Sequence, residues 1–584
     1  MDPLENISDI LHRFSKSPSN EKAFAYHKNG NWQYLSSDEF IEYVQCAALG
    51  LRAIGLRKGD RVGIFSKSSP YWLIADFAIA IAGGVTVPFF ANLSEEHFVY
   101  EVGVAKPRFI FVGEDESYDM VGPHTHLFEG VIKVEDDAEF KADFNLWDII
   151  QKGKEIHERS PHLYEEMENG IHSDDLATII FTSGSTGEPK GVELTHKNLV
   201  YIIHYEEFEW KEGERFLSIL PLPHIFSKQI NYIMVAWGIQ SYYLNDLTIV
   251  GDICKEIHPT FMIVVPRLME KIYSKMLTKI QNAGLMKRAF GLWAFDLANR
   301  EGGLYKWLMQ PIADRLVYSQ LRQALGGKLR LVISGGAALN PQLHHFFLDI
   351  GVPIVQGWGL TEASTIAVNR WGKQKVGTCG PPLPGIQFKI SSKGEVLVKG
   401  PTVMRGYYQN PEATALAIDK DGWLHTGDFG SLDEDGYLTI GGRMNESFKT
   451  AQGEYVVPVP IEQKISQAPL IDMAMVIGEN QPHASVLLFP DKNVLQNLKQ
   501  LHNKVDLSDE EFLKSRFVIA EMEELLKELN SELNHWERIH DYRFILETPT
   551  IEGGELTPTM KLRRKKILEK YQNIVSDIYS REAA

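Results

Sequence analysis

The 584-residue sequence is 44 % hydrophobic and 23 % charged, an ordinary globular composition rather than a disordered or collagen-like one. Its 60 Lys and Arg against 77 Asp and Glu leave a formal charge of −17. That balance argues against nucleic acid as a bulk partner but not against small anionic ligands, whose sites need only local N–H groups and a few cations. The three cysteines, Cys46, Cys254 and Cys379, lie far apart without CxxC spacing, so neither a disulfide framework nor a zinc site is expected.

In chain order, Met1–Asn20 is polar and lacks an apolar run behind a basic start, so no signal peptide is expected. Arg61–Phe65 reads as a strand. Tyr71–Ala91 is the most membrane-like stretch, but it contains Asp76 and then Gly83-Gly84. An Asp at a bilayer centre costs about 2.5–3.5 kcal/mol, and a Gly pair stops a helix better than it continues a span. The segment therefore predicts a buried helix, Trp72–Ala82, leading into a buried strand, Val85–Val87. Ala177–Phe181, Phe261–Val265 and Arg330–Ser334 are further strands between helix-period stretches, the pattern of an α/β fold with a parallel sheet. Glu395–Val398 and glycine turns at Asp421-Gly422 and Asp435-Gly436 mark a smaller antiparallel or barrel-like part. Beyond Gly441-Gly442-Arg443 the chain is strongly charged, and Ser508–Glu532 reads as exposed amphipathic helices. The expected domains are residues 1–443, large and α/β, and residues 444–584, small, mobile and α+β.

Thr178–Val192, TIIFTSGSTGEPKGV, carries the chemistry. A buried strand runs into Thr182, Ser183, Gly184, Ser185, Thr186 and Gly187, closed by Lys190 and Gly191. Glycines let successive N–H groups converge, hydroxyls add donors and the lysine adds charge, so the loop suits a polyphosphate. It is not a Walker A loop, because Pro189 precedes Lys190 and Gly191 follows it. A plain polar turn explains a few Gly and Ser residues but not this whole composition directly after a buried strand.

TSGSTGEPKGV resembles the phosphate loop of the adenylate-forming (AMP-binding) superfamily. The order of LPLPHIF (220–226), SGGAAL (334–339), QGWGLTEA (356–363), WLHTGDFG (423–430), Leu438–Glu462 and LTPTMK (556–561) strengthens the resemblance, which spans about Ala23 to Tyr571. In it, Gly357, Trp358 and Gly359 stack an aromatic ring on the purine, although Tyr is the usual residue where Trp358 stands. The bland reading of a Trp is core packing. Thr361 donates to phosphate, and Glu362, with Thr182, serves a phosphate-bound Mg²⁺. Gly335, Gly336 and Ala337 let adenine lie close to backbone. Asp428, by default a turn residue, accepts the ribose hydroxyls, and Arg443 reaches the ribose and phosphate side.

Lys561 is the catalytic lysine implied by LTPTMK, offsetting repulsion between carboxylate and α-phosphate. Otherwise it merely opens the basic run Lys561, Arg563, Arg564, Lys565, Lys566, a solvated face or an anionic-lipid contact. His224 is placed near the carboxylate, with a satisfied core His as the bland reading. Lys449 and Gly453 are placed on the coenzyme A side, where a surface lysine competes. Asn445 stands at the hinge, where the family commonly has Lys or Asp; Asn still tolerates unusual backbone angles.

Val265–Ile272, the helical insertion Tyr273–Leu329 and the LTPTMK ending resemble the long-chain fatty acid–CoA ligases. Ile225, Phe226, Ile230, Tyr232 and Trp237 line an acyl tunnel or belong to the core. The implied reaction uses ATP, Mg²⁺ and coenzyme A. Carboxylate attack gives acyl-AMP, and rotation near Arg443–Asn445 then replaces Lys561 with the Lys449–Gly453 segment for thioester formation. The rival readings are a ligase loading a carrier protein and a catalytically silent nucleotide- or lipid-binding protein. The expected location is cytoplasmic; peripheral membrane contact and a homodimer are left open.

Overall fold

The structure, a computed structural model, describes residues 4–135, 138–182, 188–204, 210–211, 213–300, 302–550, 553–557 and 561–580. It divides into two compact units. The large one comprises residues 1–389, 397–426 and 432–439; the small one comprises 390–396, 427–431 and 440–584.

Two eight-stranded sheets build the large unit. The first runs Gly406–Tyr407, Lys190–Thr195, Leu176–Thr182, Val85–Pro88, Arg61–Phe65, Phe109–Val112, Gly130–Lys133, Phe144–Asn145. It is parallel from Leu176–Thr182 onward and antiparallel at the edge that carries Lys190. The second runs Ser364–Val368, Ile354–Leu360, Leu331–Ser334, Phe261–Val264, Arg215–Ser218, Gln240–Tyr243, Phe24–Lys28, Asn31–Leu35, parallel in its interior and antiparallel at both ends. The central strands are apolar runs buried on both faces, as helix-covered parallel sheets require.

Helix Pro70–Ile81 starts on a Ser69 cap with Pro at its first position, and Tyr71 is its only residue that is not buried. It leads into the buried strand Val85–Pro88, matching the helix–strand reading of Tyr71–Ala91. Among the described residues no helix is long and apolar enough to cross a membrane. Asp76 is held inside by Lys228, whose Nζ lies 2.7 Å from Oδ1, and by Tyr232, whose hydroxyl donates to Oδ2 at 2.6 Å. Tyr232 is thus a core residue rather than a tunnel residue. Helices Ser37–Ala53 and Leu146–Arg159 touch through backbone: a Cβ at Gly153 would lie 1.7 Å from the Cys46 carbonyl oxygen, so only glycine permits the crossing.

The insertion forms helices Pro266–Gln281, Leu285–Asn299, Leu304–Ala313 and Ser319–Gln323, with a π turn at Asp314–Tyr318. Its inner residues Met276, Phe295 and Tyr318 join the core around Phe346 and Ile354. A four-stranded sheet runs Gln387–Ile390, Glu395–Lys399, Leu424–Leu432, Leu438–Arg443.

In the small unit, Ile471–Ile477 pairs antiparallel with Ala484–Pro490, which pairs parallel with Ile539–Phe544. Period-2 alternation gives this sheet two covered faces. Ala474 and Val476 point into a core with Ile461, Leu495 and Met522; Met473, Met475 and Ile477 point into another with Ile567 and Ile578. Ser508–Glu532 is two helices, Asp509–Leu513 and Arg516–Glu532, and the second buries Val518, Met522, Leu526 and Leu529. The spacing i, i+4, i+8, i+11 keeps that stripe on one face.

Candidate active site

Strand Leu176–Thr182 turns back antiparallel into Lys190–Thr195, with Thr182 opposite Lys190. Ser183, Gly184, Ser185, Thr186 and Gly187 lie outside the described residues. At the base of this turn Lys190 Nζ lies 5.2 Å from the centroid of the Tyr407 ring, a cation–π contact. The Tyr407 hydroxyl donates to Glu362 Oε1 at 2.9 Å. The Met404 N–H donates to the Glu362 carbonyl at 2.8 Å, and the Tyr408 N–H to the Gly191 carbonyl at 2.7 Å. Lys190 and Glu362, 172 positions apart in sequence, therefore meet across one tyrosine that no motif singles out.

Thr361 and Glu362 are half-buried. No group of three or more His, Cys, Asp or Glu residues able to hold a metal occurs among the described residues. The Glu362 carboxylate, with one oxygen engaged by Tyr407, fits Mg²⁺, which keeps several waters and binds through one or two carboxylates plus substrate phosphates. It would not fit a metal caged by protein alone.

Gly357, Trp358 and Gly359 lie on strand Ile354–Leu360. Trp358 is only 9 % exposed and meets Phe388 edge-on, with centroids 6.0 Å apart and planes at 73°. A Cβ at Gly359 would lie 2.2 Å from the Ser364 carbonyl oxygen, so this glycine is needed to close the hairpin onto Ser364–Val368, where Ser364 takes φ +59°. Gly335 packs against Phe226, whose ring would lie 3.0 Å from an added Cβ; Gly336 and Ala337 are exposed. His224 caps helix Ile225–Ala236, its Nδ1 accepting from the Phe226 N–H at 3.2 Å. Ile225 and Ile230 are buried, while Phe226 and Trp237 are partly exposed.

In the small unit, Asp428 sits inside the long strand Leu424–Leu432 rather than in a turn. Gly427 looks like a turn glycine, but here its φ of +69° is absorbed within the strand, and its N–H donates to Glu395 Oε1 at 3.0 Å. Asp428 is buried and pairs with the exposed Arg443, Nε to Oδ1 at 2.8 Å. Lys561 lies close enough for both to act on its charge. Desolvation, then the Arg443 guanidinium, push the ammonium below the ordinary lysine value, while Glu446 and Asp428 oppose the shift. The Lys561 backbone is fixed at both ends: its N–H donates to Thr557 Oγ1 at 3.0 Å, and its carbonyl accepts from the Thr557 N–H at 2.8 Å.

Arg564 is no part of a solvated face. Its guanidinium clamps the buried Glu462 at 2.5 and 2.6 Å and donates to the Val476 carbonyl at 3.0 Å. Lys565 and Lys566 are exposed. Lys449 lies on a short hairpin, Phe448–Lys449 with Tyr455–Val456, turned by Gly453 at φ +88°; its Nζ sits 4.8 Å from the Tyr455 ring centroid. Asn445 lies within a 3₁₀ turn, Met444–Glu446, and the unusual backbone angle falls on Gly442 at φ +137° instead.

Residues 11–408 match the AMP-binding enzyme family, and residues 447–583 match the AMP-binding enzyme C-terminal domain. The chain belongs to the AMP-binding enzyme family. This AMP-binding enzyme is 34 % identical to the long-chain-fatty-acid–CoA ligase FadD15 of Mycobacterium bovis, over 99 % of the chain and 98 % of that relative. Its fold matches the crystal structure of the anthranilate CoA ligase AuaEII in complex with anthranoyl-AMP (TM-score 0.72, 18 % identity, 99 % of each chain covered). It also matches the adenylation domain of a carboxylate reductase from Mycobacterium chelonae (TM-score 0.74, 20 % identity, 98 % and 90 % covered). The sequence motifs of this AMP-binding enzyme foretold its family and its α/β fold. They did not foretell Tyr407, Thr557 or the buried Asp76–Lys228–Tyr232 cluster, whose only sequence signal is an Asp inside an apolar helix.

Proposed function

We propose that the enzyme activates a long-chain fatty acid with ATP to acyl-AMP and pyrophosphate, then transfers the acyl group to coenzyme A, releasing AMP. The observation that carries this reading is the small-unit constellation of Asp428, Arg443 and Lys561, combined with near full-length relatedness to a protein named as a long-chain-fatty-acid–CoA ligase. A binder of nucleotide needs no lysine placed among opposing charges; attack of one anion on another does.

The roles follow residue by residue. The turn from Thr182 to Lys190 cradles phosphates, Trp358 with Gly335, Gly336 and Ala337 borders the adenine, and Thr361 donates to phosphate. Asp428 and Arg443 hold the ribose, and His224 lies beside the carboxylate. Glu362, oriented by Tyr407, and Thr182 would hold Mg²⁺, which when bound neutralises phosphate charge. Lys561 serves adenylation; Lys449 and the Gly453 turn serve the thioester step, with Asn445 in the connecting segment. The reading places the enzyme in the cytoplasm.

Lys561→Ala is the test. Fatty-acid-dependent ATP–pyrophosphate exchange falls by about three orders of magnitude, the scale on which a single transition-state donor acts, while thioester formation from supplied acyl-AMP persists. Exchange that survives the substitution removes Lys561 from the mechanism.

A further inference from the structure

Helices Leu285–Asn299 and Leu304–Ala313 are apolar on both sides. Ala294, Phe295, Leu297 and Ala298 already fill the core side of the first helix. Yet the outer side presents Leu285 (87 % exposed), Met286 (78 %) and Phe290, and the second helix presents Leu304 (73 %), Trp307 (72 %) and Leu308. The two helices are tied together by Trp293 Nε1, which donates to the Tyr305 hydroxyl at 3.1 Å. A concentration of large apolar side chains held in water on a folded surface marks a place where something else binds.

Charge selects the partner. In a chain of −17, the segment from Lys271 to Lys328 carries ten Lys and Arg against three Asp and Glu. Its described acids are already neutralised, Asp296 by Arg300 and Asp314 by Arg322. Lys287, Arg288 and Arg315 stand exposed with no ion-pair partner among the described residues. Apolar side chains flanked by unpaired cations are the features by which a helix lies in a membrane interface and prefers anionic lipid. A second copy is the poorer occupant, because a two-fold contact sets the same patch against itself and faces like charges.

We infer that the Leu285–Leu316 helical surface docks this enzyme on an anionic lipid bilayer. As a route by which a sparingly soluble acid reaches the enzyme, the inference rests on the proposed ligase reading; the docking itself does not.

The test is flotation of the full chain, without substrates, on phosphatidylcholine vesicles with and without phosphatidylserine. The wild type floats with phosphatidylserine vesicles and about tenfold less without them. Leu285→Ser, Phe290→Ser and Trp307→Ser combined abolish flotation; Lys287→Glu with Arg288→Glu removes only the preference for phosphatidylserine. All five side chains are exposed, so circular dichroism and Tm stay at wild-type values, as does pyrophosphate release with detergent-dispersed fatty acid. A wild type that does not float overturns the inference. So does a triple variant that floats undiminished, or one whose only change is from dimer to monomer in sedimentation. A wild type that floats as described but releases no pyrophosphate with any fatty acid overturns the ligase reading and leaves the surface standing.

Discussion

Lys561 is an exposed residue held between opposing influences, since desolvation by its surroundings and Arg443 disfavour its charge while Glu446 and Asp428 favour it. A lysine works in adenylation only while protonated. The alkaline limb of fatty-acid-dependent pyrophosphate exchange therefore lies below the ordinary lysine value, and Glu446→Gln, which removes an opposing carboxylate, moves it lower still. A limb unmoved by Glu446→Gln contradicts the assignment. Tyr407 acts through Glu362. Tyr407→Phe keeps the ring beneath Lys190 and deletes the hydrogen bond to the carboxylate, a contact of the kind contributing about 1.5–3 kcal/mol. The predicted outcome is a rise of about tenfold or more in KM for Mg·ATP with little change in Tm; a wild-type KM shows that Glu362 needs no such support. Dense Gly, Ser and Thr around a lysine marked Thr182–Lys190 as a candidate phosphate loop in one dimension. Tyr407 was not, because a tyrosine reaching Glu362 from 45 positions away leaves no local pattern.

Among the elements, helix Pro70–Ile81 was readable because an apolar run with one Asp and a Gly pair has few other outcomes. Its partner was hidden, since Lys228 sits on helix Ile225–Ala236, 152 positions away. Both charges are fully buried, so the pair is costly to break singly. Lys228→Met is predicted to destabilise by about 3–5 kcal/mol, and adding Asp76→Leu and Tyr232→Phe to recover most of that loss, because an all-apolar replacement leaves no orphaned charge. Urea denaturation distinguishes the two variants; a nearly neutral single variant contradicts the ion pair. The strand around Asp428 was misread as a turn for the converse reason. Gly427 carries a turn-like backbone angle inside a continuous strand, and sequence shows the glycine without the ladder around it.

The whole molecule carries a pH dependence of its own. Burial lowers His196 and His344 to about 4, whereas both titrate near 6.5 when unfolded. Their contribution is complete above the unfolded value and is lost as pH falls from 6.5 toward 4, by up to about 3 kcal/mol for each histidine. His344→Gln, which keeps a donor for the Ile354 carbonyl, flattens the fall in urea midpoint across that window; an unchanged slope contradicts the burial of a neutral His344. At this scale the α/β class was legible from alternating apolar strands and amphipathic helices. The two-sheet arrangement was not, because strand order is set by contacts hundreds of residues apart.

The central claim is a complete two-step ligation, and product analysis tests it most directly. Purified enzyme is incubated with Mg·ATP, palmitate and coenzyme A, and every product is quantified. The account predicts acyl-CoA, AMP and pyrophosphate in equal amounts, with none formed when palmitate is omitted. ADP and phosphate in their place, or acyl-AMP that accumulates beside unreacted coenzyme A and is discharged only by a carrier protein, contradicts it.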